Sequence, residues 1–346
     1  MLRRGTIRIG ISGWRYPPWR GIFYPKGLAQ AKELAYASAA FPTIELNGSF
    51  YSLQTPQSYQ RWYDDTPDDF VFAIKGGRYI THLRRLVDIE VPLANFFASG
   101  VFHLKEKIGP FLWQFPPHFR YDEAKFESFF NLLPFDLESA ARLARQRDDR
   151  MTGRSALKFD TNRQLRHAVE IRHESFRTEA FVNQLRRHGI SLVFADTAGK
   201  WPYFEDLTAD FVYLRLHGDA ELYVSGYSPD ALTRWANRIE QWASGKQPED
   251  AVLVTNRAAA KSVKRDIYCY FDNDVKVRAP ADAMDLTRRL GLEVPAIVAA
   301  AGMEGGSLDP AILAQLPFEA APLGTRWQFK KTKKVSSSQR RARTKA

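Results

Sequence analysis

Polar and ionisable side chains two residues apart occur in several short apolar runs of the sequence. The pairs are Glu45 with Asn47, Glu170 with Arg172, and Arg215 with His217. Residues two apart on a β-strand share one side of it, so the members of each pair would point in the same direction. If that side faces a closed interior, the charged groups need partners, and such a site can carry acid–base chemistry.

Carboxylates and imidazoles in these runs supply candidates for proton transfer. Glu45 and Glu170 could act as acid and base on a sugar, as paired carboxylates do in glycoside hydrolysis. His173 and His217 could carry protons or ligate a metal, and Asp274 is a further catalytic candidate. A divalent metal suits such ligands, but no H-E-x-x-H spacing occurs, so the identity of any cofactor stays open.

Three cations in similar positions would repel a metal and attract an anion. Lys75, Arg172 and Arg215 could hold a phosphate or carboxylate group. Aromatic rings follow the same runs, and Trp14 and Tyr227 could stack on a sugar ring or a base. The remaining candidates for substrate binding are Asn47, Gln114, Asp196 and Asn273. These groups together predict a polar ligand that is anionic or polyhydroxylated.

Eight strand-like runs alternate with helical segments along the chain. The strand-like runs are 7–13, 43–47, 69–75, 109–116, 167–173, 190–196, 209–218 and 265–274. The helical segments are 27–41, 55–67, 80–105, 122–133, 136–147, 177–189, 228–245 and 279–291. Alternation of this kind predicts a parallel sheet, and eight units over roughly 290 residues suit an α/β fold of the (β/α)₈ TIM-like barrel type. No G-x-G-x-x-G turn follows the first run, which disfavours an open doubly wound sheet.

The ends of the predicted strands differ in character from their middles. Seven of the eight finish in polar or ionisable residues, whereas the middles are apolar. In a barrel, the C-terminal ends of all strands meet at one face, where active sites lie. One charged strand end is usually a cap or a surface salt bridge, and a buried ion network could also close the barrel mouth. Recurrence over seven strands favours a functional pocket.

The positive charge of the chain is concentrated at its C-terminus. The net charge is +11, and residues 324–346 hold nine Lys or Arg and no Asp or Glu. This composition predicts a disordered tail, which could bind the phosphates of nucleic acid or acidic lipid or could simply keep the protein soluble. We expect the barrel within residues 1–300, with a loop insertion at 246–264, and an extension at 301–323.

The cysteine content and the lengths of the apolar runs indicate the cellular compartment in which the protein is expected. Cys269 is the single cysteine, which rules out an intramolecular disulfide and fits a reducing environment. No run of about 18 apolar residues indicates a transmembrane helix, and the N-terminus lacks the apolar segment of a signal peptide. These features predict a soluble cytoplasmic protein.

Several motifs resemble those of the YecE-like family. They are IGISGWRYPPWRGIFYP, IELNGSFYSLQTP, FAIKGGRYITH, GPFLWQFPPHF, AVEIRHESF, YLRLHG and YCYFDNDVKVRAPADA, which span residues 7–291 in the family's order. The resemblance implies a TIM-like barrel related in outline to sugar isomerases and to the endonuclease IV group, and it implies no particular reaction. The family's characteristic polar positions would fall at Glu45, Asn47, Lys75, Gln114, Glu170, Arg172, His173, Asp196, Arg215, His217, Asn273 and Asp274. The long segment before the last strand and the basic tail depart from the family pattern.

These features favour an enzyme, isomerase- or hydrolase-like, that acts on a carbohydrate or sugar phosphate at the C-terminal mouth of the barrel. Two alternatives stay open. One is a nucleic-acid-associated protein or phosphodiesterase that uses the tail and the aromatic mouth, and the other is a barrel that binds a ligand without turnover. Barrels of this kind host many reactions, so the fold alone does not choose among them.

Overall fold

Eight parallel strands form a closed barrel. The computed structural model describes residues 4–256, 259, 262, 264–274 and 276–293. The strands are β1 Ile7–Ser12, β2 Thr43–Leu46, β3 Val71–Lys75, β4 Ile108–Gln114, β5 His167–Glu170, β6 Ser191–Asp196, β7 Phe211–Leu216 and β8 Asp266–Phe271. Each strand pairs with the next in the chain, and β8 pairs with β1. The predicted (β/α)₈ TIM-like fold is confirmed.

Nine α-helices lie among the described residues and surround the strands. They are α1 Glu33–Ala40, α2 Gly48–Tyr51, α3 Pro56–Asp64, α4 Glu90–Ala98, α5 Glu123–Leu132, α6 Leu137–Ala144, α7 Glu179–His188, α8 Pro229–Ala243 and α9 Arg278–Arg289. None of them separates β6 from β7, where the helical pattern of the sequence is weakest. The predicted helical segment 80–105 is divided at Gly100, whose φ of 112° breaks the helical path, and 3₁₀ turns continue over Val101–Lys107.

Capping residues fix two of the loops that lie at the barrel mouth. The side chains of Thr55 and Ser228 each accept a hydrogen bond from the backbone N–H three residues further on, and a proline follows each of them. Helices α3 and α8 therefore begin where the sequence predicts. The loops that end at these caps, 47–55 and 217–228, follow β2 and β7.

The interior of the barrel changes from apolar to polar toward the C-terminal ends of the strands. Val71 and Ala73 lie in the core, and Lys75 follows on the same side of β3. Tyr213 and Arg215 are related in the same way on β7. The core cluster consists of Val71, Ala73, Leu112, Ala168, Val193, Ala195, Phe211, Tyr213, Tyr268 and Tyr270. Because this apolar layer excludes water from below, the polar groups above it must pair with one another or face the mouth.

Residues 246–256 form an irregular loop that is held by carboxylates on the β6–β7 connection. The backbone N–H of Val252 donates to Glu205 at 3.1 Å, and that of Val254 donates to Asp206 at 2.8 Å. Only part of the remainder of the predicted insertion is described, so its extent stays a prediction.

Three further sequence predictions concern the C-terminal segments, the cysteine and membrane spans. The extension 301–323 and the basic tail 324–346 lie outside the described residues. Cys269 is buried in β8, where burial raises the pKa of its thiol. The described helices include none that is long and apolar enough to cross a membrane.

Candidate functional site

Arg215 is the centre of a buried cluster of charges at the C-terminal end of the barrel. Its side chain is 1% exposed. Arg215 donates to Glu45 at 2.9 Å from Nε and 2.8 Å from Nη2, to Glu170 at 2.8 Å, and to Asp272 at 2.7 Å. Burial opposes the charge of Arg215, but the three carboxylates raise its pKa above the usual range. Glu45, Glu170, Arg215 and Asp272 are called the ion network below.

Glu45 accepts hydrogen bonds at both of its carboxylate oxygens. Ser12 Oγ donates to Oε1 and the Tyr213 hydroxyl donates to Oε2, each at 2.7 Å. Asn47 Nδ2 in turn donates to Ser12 Oγ at 3.0 Å. With the two bonds from Arg215, these contacts fill the acceptor capacity of a carboxylate. Glu45 therefore holds Arg215 in place and has no oxygen left for a substrate.

Glu170 is saturated in a similar way. Gln114 Nε2 donates to Oε2 at 2.8 Å, and Arg172 Nε donates to Oε1 at 2.9 Å. Burial opposes ionisation of this carboxyl, but Arg172 and Arg215 hold its pKa well below the usual range. Glu170 is therefore an ionised, fully paired carboxylate.

His217 and Asp272 complete the cluster above β7 and β8. His217 Nδ1 lies 3.0 Å from Asp272 Oδ2, and His217 Nε2 lies 3.4 Å from Arg215 Nη1. Burial and the neighbouring Arg215 lower the pKa of His217, which favours a neutral ring. Nδ1 is close to Asp272 Oδ2, but the two atoms are not aligned for a hydrogen bond. Although burial opposes ionisation of Asp272, Arg215 and His217 lower its pKa.

A cavity of about 510 Å³ opens above the ion network. Its lining consists of Tyr16, Pro18, Asn47, Phe50, Tyr51, Lys75, Gln114, Arg172, Tyr223, Asp272 and Asp274. Four aromatic rings therefore face polar and charged groups across a space of the size that small-molecule sites have. Tyr51 is 68% exposed and stands at the rim.

Asp274 differs from the carboxylates of the ion network. Its Oδ1 atom is buried and has no hydrogen-bond partner among the described residues. Burial and the adjacent negative charge of Asp272 raise the pKa of Asp274 well above the usual range. Two carboxyls this close do not both ionise readily, so Asp274 retains the proton of the pair. The cavity is thus lined by one carboxyl with a raised pKa, Asp274, next to one with a lowered pKa, Asp272.

Lys75 is a buried amine that lines the same cavity. Its side chain follows the core residues of β3, and the residue is 7% exposed. In the described part of the chain, the Nζ atom makes no hydrogen bond or ion pair, and it lies 4.6 Å from the centroid of the Phe50 ring. Burial and the positive charge of Arg215 lower the pKa of Lys75 to about 8.

A second cavity adjoins the first at Arg172. It measures about 600 Å³, and Arg172, Arg177 and Lys200 are among its lining residues. The Arg172 guanidinium stacks 3.8 Å from the centroid of the Trp201 ring. Arg172 therefore forms the boundary between the two cavities, with Glu170 fixing its direction.

The donor set of the mouth does not favour a metal ion. Among the residues that the structure describes, no group of three or more His, Cys, Asp or Glu side chains is arranged to hold one. The carboxylates that could serve as ligands, Glu45, Glu170 and Asp272, already accept hydrogen bonds from Arg215.

The structure brings nine of the predicted site residues to the ion network or the cavity. They are Glu45, Asn47, Lys75, Gln114, Glu170, Arg172, Arg215, His217 and Asp274. The other five, which do not line this cavity, are Trp14, His173, Asp196, Tyr227 and Asn273.

Two of those five lie on the outer side of their strands. Ala195 is in the barrel core, so its neighbour Asp196 points outward and accepts a hydrogen bond from the Tyr227 hydroxyl at 3.1 Å. Asp272 faces the mouth, so Asn273 points the other way and donates to Asp282 at 2.7 Å. Both pairs connect the strands to the surrounding loops and helices.

His173 and Trp14 also have local partners. His173 Nδ1 accepts a hydrogen bond from the Ser175 backbone N–H at 3.1 Å and begins a short 3₁₀ turn, and the residue lines the second cavity. The Trp14 ring packs edge-on against Trp62, with 5.9 Å between the ring centroids. Each side chain orders the loop in which it lies.

Sequence reasoning did not single out the two hydroxyls that hold Glu45. Ser12 ends β1, and Tyr213 precedes Arg215 by two residues on β7. Strand alternation was the available signal, because both residues lie on the same side as neighbouring polar strand ends. Asp272 could have been chosen over Asn273 by the same rule.

Comparison with known proteins identifies the family. A family model described as "Protein of unknown function DUF72" matches residues 8–304. The chain belongs to the DUF72 family. Two relatives are UPF0759 protein YunF of Bacillus subtilis, 34% identical over 118 residues, and UPF0759 protein YecE of Escherichia coli K12, 30% identical over 113 residues. Each alignment covers 33% of this chain, and the matched segment spans 41% of YunF and 39% of YecE. The resemblance to YecE-like proteins is thereby confirmed.

Two solved structures of DUF72 family proteins share the fold. The protein TM1631 of Thermotoga maritima is similar with a TM-score of 0.59 at 24% identity, over 83% of this chain and 99% of that chain. The protein EF0366 of Enterococcus faecalis gives a TM-score of 0.59 at 17% identity, over 83% and 96%. At these identities the likeness shows a common barrel, and the chemistry must be argued from this chain's own residues.

Proposed function

We propose that the mouth of the DUF72 barrel is an active site for proton transfer on an anionic, polyhydroxylated small molecule. A sugar phosphate is the class of substrate that fits best, and isomerisation or hydrolysis is the class of reaction. One observation carries the proposal: two neighbouring carboxyls line the cavity, of which Asp274 has a raised pKa and an Oδ1 atom without a partner in the described part of the chain, whereas Asp272 has a lowered pKa and accepts a hydrogen bond from Arg215. Pairs of titratable groups whose pKa values are driven apart mark acid and base roles.

The roles first suggested for Glu45 and Glu170 are reassigned in this proposal. Both carboxylates are committed to Arg215 and to further donors, so they position the site. Asp274 is the proton donor, because its pKa is raised and its Oδ1 atom has no partner in the described part of the chain. Arg172 holds the anionic group, because its guanidinium lines the cavity and is oriented by Glu170.

The aromatic lining supports a sugar ring as the part of the substrate between these groups. Tyr16, Phe50, Tyr51 and Tyr223 border the cavity, and aromatic faces pack against the C–H faces of sugars while hydroxyls bond to polar neighbours. Asn47 and Gln114 also line the cavity, and each carries an amide group that can bond to a hydroxyl.

Proton exchange into a sugar phosphate tests the proposal. The full chain is incubated with a panel of aldose and ketose phosphates in D₂O, and deuterium at carbon is followed by NMR. We expect exchange with at least one member of the panel, slowed about 10²-fold or more in Asp274→Asn. Asp282→Asn is the matched control, because Asp282 is also a buried carboxyl with a raised pKa, about 7, but lies against Asn273, away from the cavity lining. Exchange by Asp274→Asn at the wild-type rate would contradict the assignment. Binding without exchange would exclude isomerisation, and binding with neither exchange nor hydrolysis of the substrate would indicate a non-catalytic ligand-binding barrel.

The second cavity favours one alternative ligand class, a single-stranded nucleic acid or another phosphodiester. Its lining combines the cations Arg177 and Lys200 with the Trp201 ring, and such combinations bind phosphates and stack bases. Fluorescence anisotropy with short RNA and DNA at low salt tests this function. Loss of affinity after deletion of residues 324–346 would support use of the basic tail, and unchanged affinity would remove the tail from the proposal.

A further inference from the structure

We propose that the Lys75 amine is a nucleophile that forms an imine with a carbonyl carbon of the substrate. This inference rests on the proposed function and narrows its substrate class to an aldehyde or ketone, such as an open-chain sugar phosphate. The sequence suggested a different role for Lys75, the binding of an anionic group.

The surroundings of Lys75 leave its amine available for reaction. The three carboxylates of the ion network bond to Arg215, and the Lys75 Nζ atom makes no ion pair among the described residues. The Nζ atom lies over the face of the Phe50 ring, which attracts a cation but accepts no ordinary hydrogen bond. A lysine that only neutralised a carboxylate would be expected to contact one.

A second buried lysine shows what a structural role looks like in this protein. Lys107 is 2% exposed, yet its Nζ atom donates to the Tyr63 carbonyl at 2.8 Å, to the Thr66 carbonyl at 2.8 Å and to Thr66 Oγ1 at 3.2 Å. All three donors of that ammonium are therefore used. Lys75 is buried to a similar extent without any such bonds, and it lines a cavity.

The charges that face Lys75 favour a neutral amine. Arg215 on β7 opposes its protonation, and Glu45, Glu170 and Asp272 favour protonation less strongly than burial and Arg215 oppose it. With a pKa of about 8, roughly 10% of the amine is neutral at pH 7, against less than about 0.1% for an ordinary exposed lysine. His82 lies near Lys75, and burial lowers the pKa of His82 to about 4, so His82 adds no positive charge.

The remaining groups of the cavity supply what imine formation requires. The neutral nitrogen attacks the carbonyl carbon, a C–N bond forms while the C=O π bond breaks, and a proton moves from the nitrogen to the oxygen to give a neutral carbinolamine. Loss of the hydroxyl with one further proton releases water, and the nitrogen remains as a protonated imine. In sum, a carbonyl group, an amine and one proton give an iminium ion and water. Asp274 lines the same cavity and can donate the proton.

Reductive trapping tests the inference on the full wild-type chain. The protein is incubated with glycolaldehyde phosphate and cyanoborohydride, digested, and mapped by mass spectrometry. We expect the reduced adduct on Lys75 at least 10-fold faster than on Lys107 or on exposed lysines at pH 7, with a rate at Lys75 that levels off above pH 8. Surface lysines should instead accelerate to beyond pH 10.

Two variants and two outcomes decide the inference. Lys75→Arg should abolish the selective adduct, and Lys107→Arg should leave it unchanged. Adducts spread over surface lysines with Lys75 unmodified would overturn the imine. If Lys75 stays unmodified while Asp274-dependent deuterium exchange persists, the imine is wrong and the proposed function stands. If Lys75 is labelled selectively but no sugar phosphate exchanges, the nucleophile stands and the proposed function is wrong.

Discussion

The floor and the wall of the barrel mouth use the same kinds of side chain in different ways. In the floor, the carboxylates Glu45 and Glu170 surround Arg215 and accept a hydrogen bond at every oxygen. In the wall, the residue Lys75 is 7% exposed and its Nζ atom lies over the Phe50 ring without such partners, and the Oδ1 atom of Asp274 is buried without one among the described residues. A charged group whose hydrogen bonds are all made holds its neighbours in position. A buried group without such bonds, whose pKa shift favours its neutral form, is available to react.

The difference explains why the pKa shifts have opposite directions within one cluster. Burial opposes charge on every group there, and the paired groups overcome it through their partners. Glu170 and Asp272 keep lowered pKa values because Arg172 and Arg215 contact them. Among the described residues, Lys75 pairs with no carboxylate and Asp274 pairs with no cation, so burial and the neighbouring like charge disfavour their charged forms.

The largest expected effect comes from removing the central cation of the floor. Arg215→Met leaves Glu45, Glu170 and Asp272 buried without it, and we expect the free energy of unfolding to fall by about 3–5 kcal/mol. Denaturant unfolding at pH 7, followed by fluorescence, measures the change. Arg187→Met, which removes the exposed pairs of Arg187 with Glu123 and Glu127, is the control and should cost about 0–1 kcal/mol. A loss below about 1 kcal/mol for Arg215→Met would show that the floor is not a structural network.

Substitution of the two buried lysines should change the free energy of unfolding in opposite directions. At pH 7, Lys75→Met removes an unpaired buried amine and should raise the free energy of unfolding, by up to about 3 kcal/mol at 1.4 kcal/mol per pKa unit. Lys107→Met should lower it by about 1–3 kcal/mol, because the Tyr63 and Thr66 carbonyls lose their donor.

The sign of the Lys75 effect also predicts a pH dependence. Since the folded pKa of about 8 lies below the unfolded value of 10.5, the unfolded chain binds more protons between these values. The wild type should therefore gain stability relative to Lys75→Met as the pH rises from 8 to 10.5. Chemical denaturation of both proteins across that range measures the gain, and parallel profiles would contradict the assignment.

A smaller effect is expected at the boundary between the two cavities. Arg172→Met should weaken binding of a sugar phosphate about 10-fold, since a hydrogen bond to a charged group contributes about 1.5–3 kcal/mol and Arg172 also pairs with Glu170. Isothermal titration calorimetry measures the affinity, with Arg177→Met as the control in the second cavity. Equal losses for both variants would place the anionic group in the second cavity.

The smallest effect on ligand affinity is expected at His173, which lies outside the first cavity. His173→Ala removes the acceptor for the Ser175 N–H and should cost about 1 kcal/mol of stability. Affinity for a sugar phosphate should stay within about 2-fold, because His173 does not line the first cavity. A larger loss of affinity would show that the ligand extends beyond Arg172.

The sequence was sufficient to predict the barrel and the end at which polar groups meet. Alternating strands and helices gave the fold, and pairs such as Glu170 with Arg172 and Arg215 with His217 indicated one shared side. Strict strand alternation predicts more: it places Asp272 on the interior side of its strand, and it places Asn273 and Asp196 on the outer side. It would also have found Tyr213 below Arg215.

The sequence could not predict which charged groups are structural and which are available to react. Glu45 and Glu170 have the residue types of an acid–base pair, and only their distances to Arg215 show that they are occupied. Lys75 and Lys107 are both lysines next to apolar runs, and the difference between them is the set of carbonyls within reach. Such contacts join elements far apart in the chain, so local pattern carries no information about them.

The division between floor and wall is tested most directly by a pair of adjacent substitutions, Asp272→Asn and Asp274→Asn, compared by denaturant unfolding at pH 7. Asp272 has a lowered folded pKa, so its charge stabilises the fold above pH 4, and the Asn variant should lose about 2 kcal/mol or more. Asp274 has a raised folded pKa, so its ionisation costs stability as the pH rises, and its Asn variant should be at least as stable as the wild type. Equal destabilisation by both substitutions would contradict the division of the mouth.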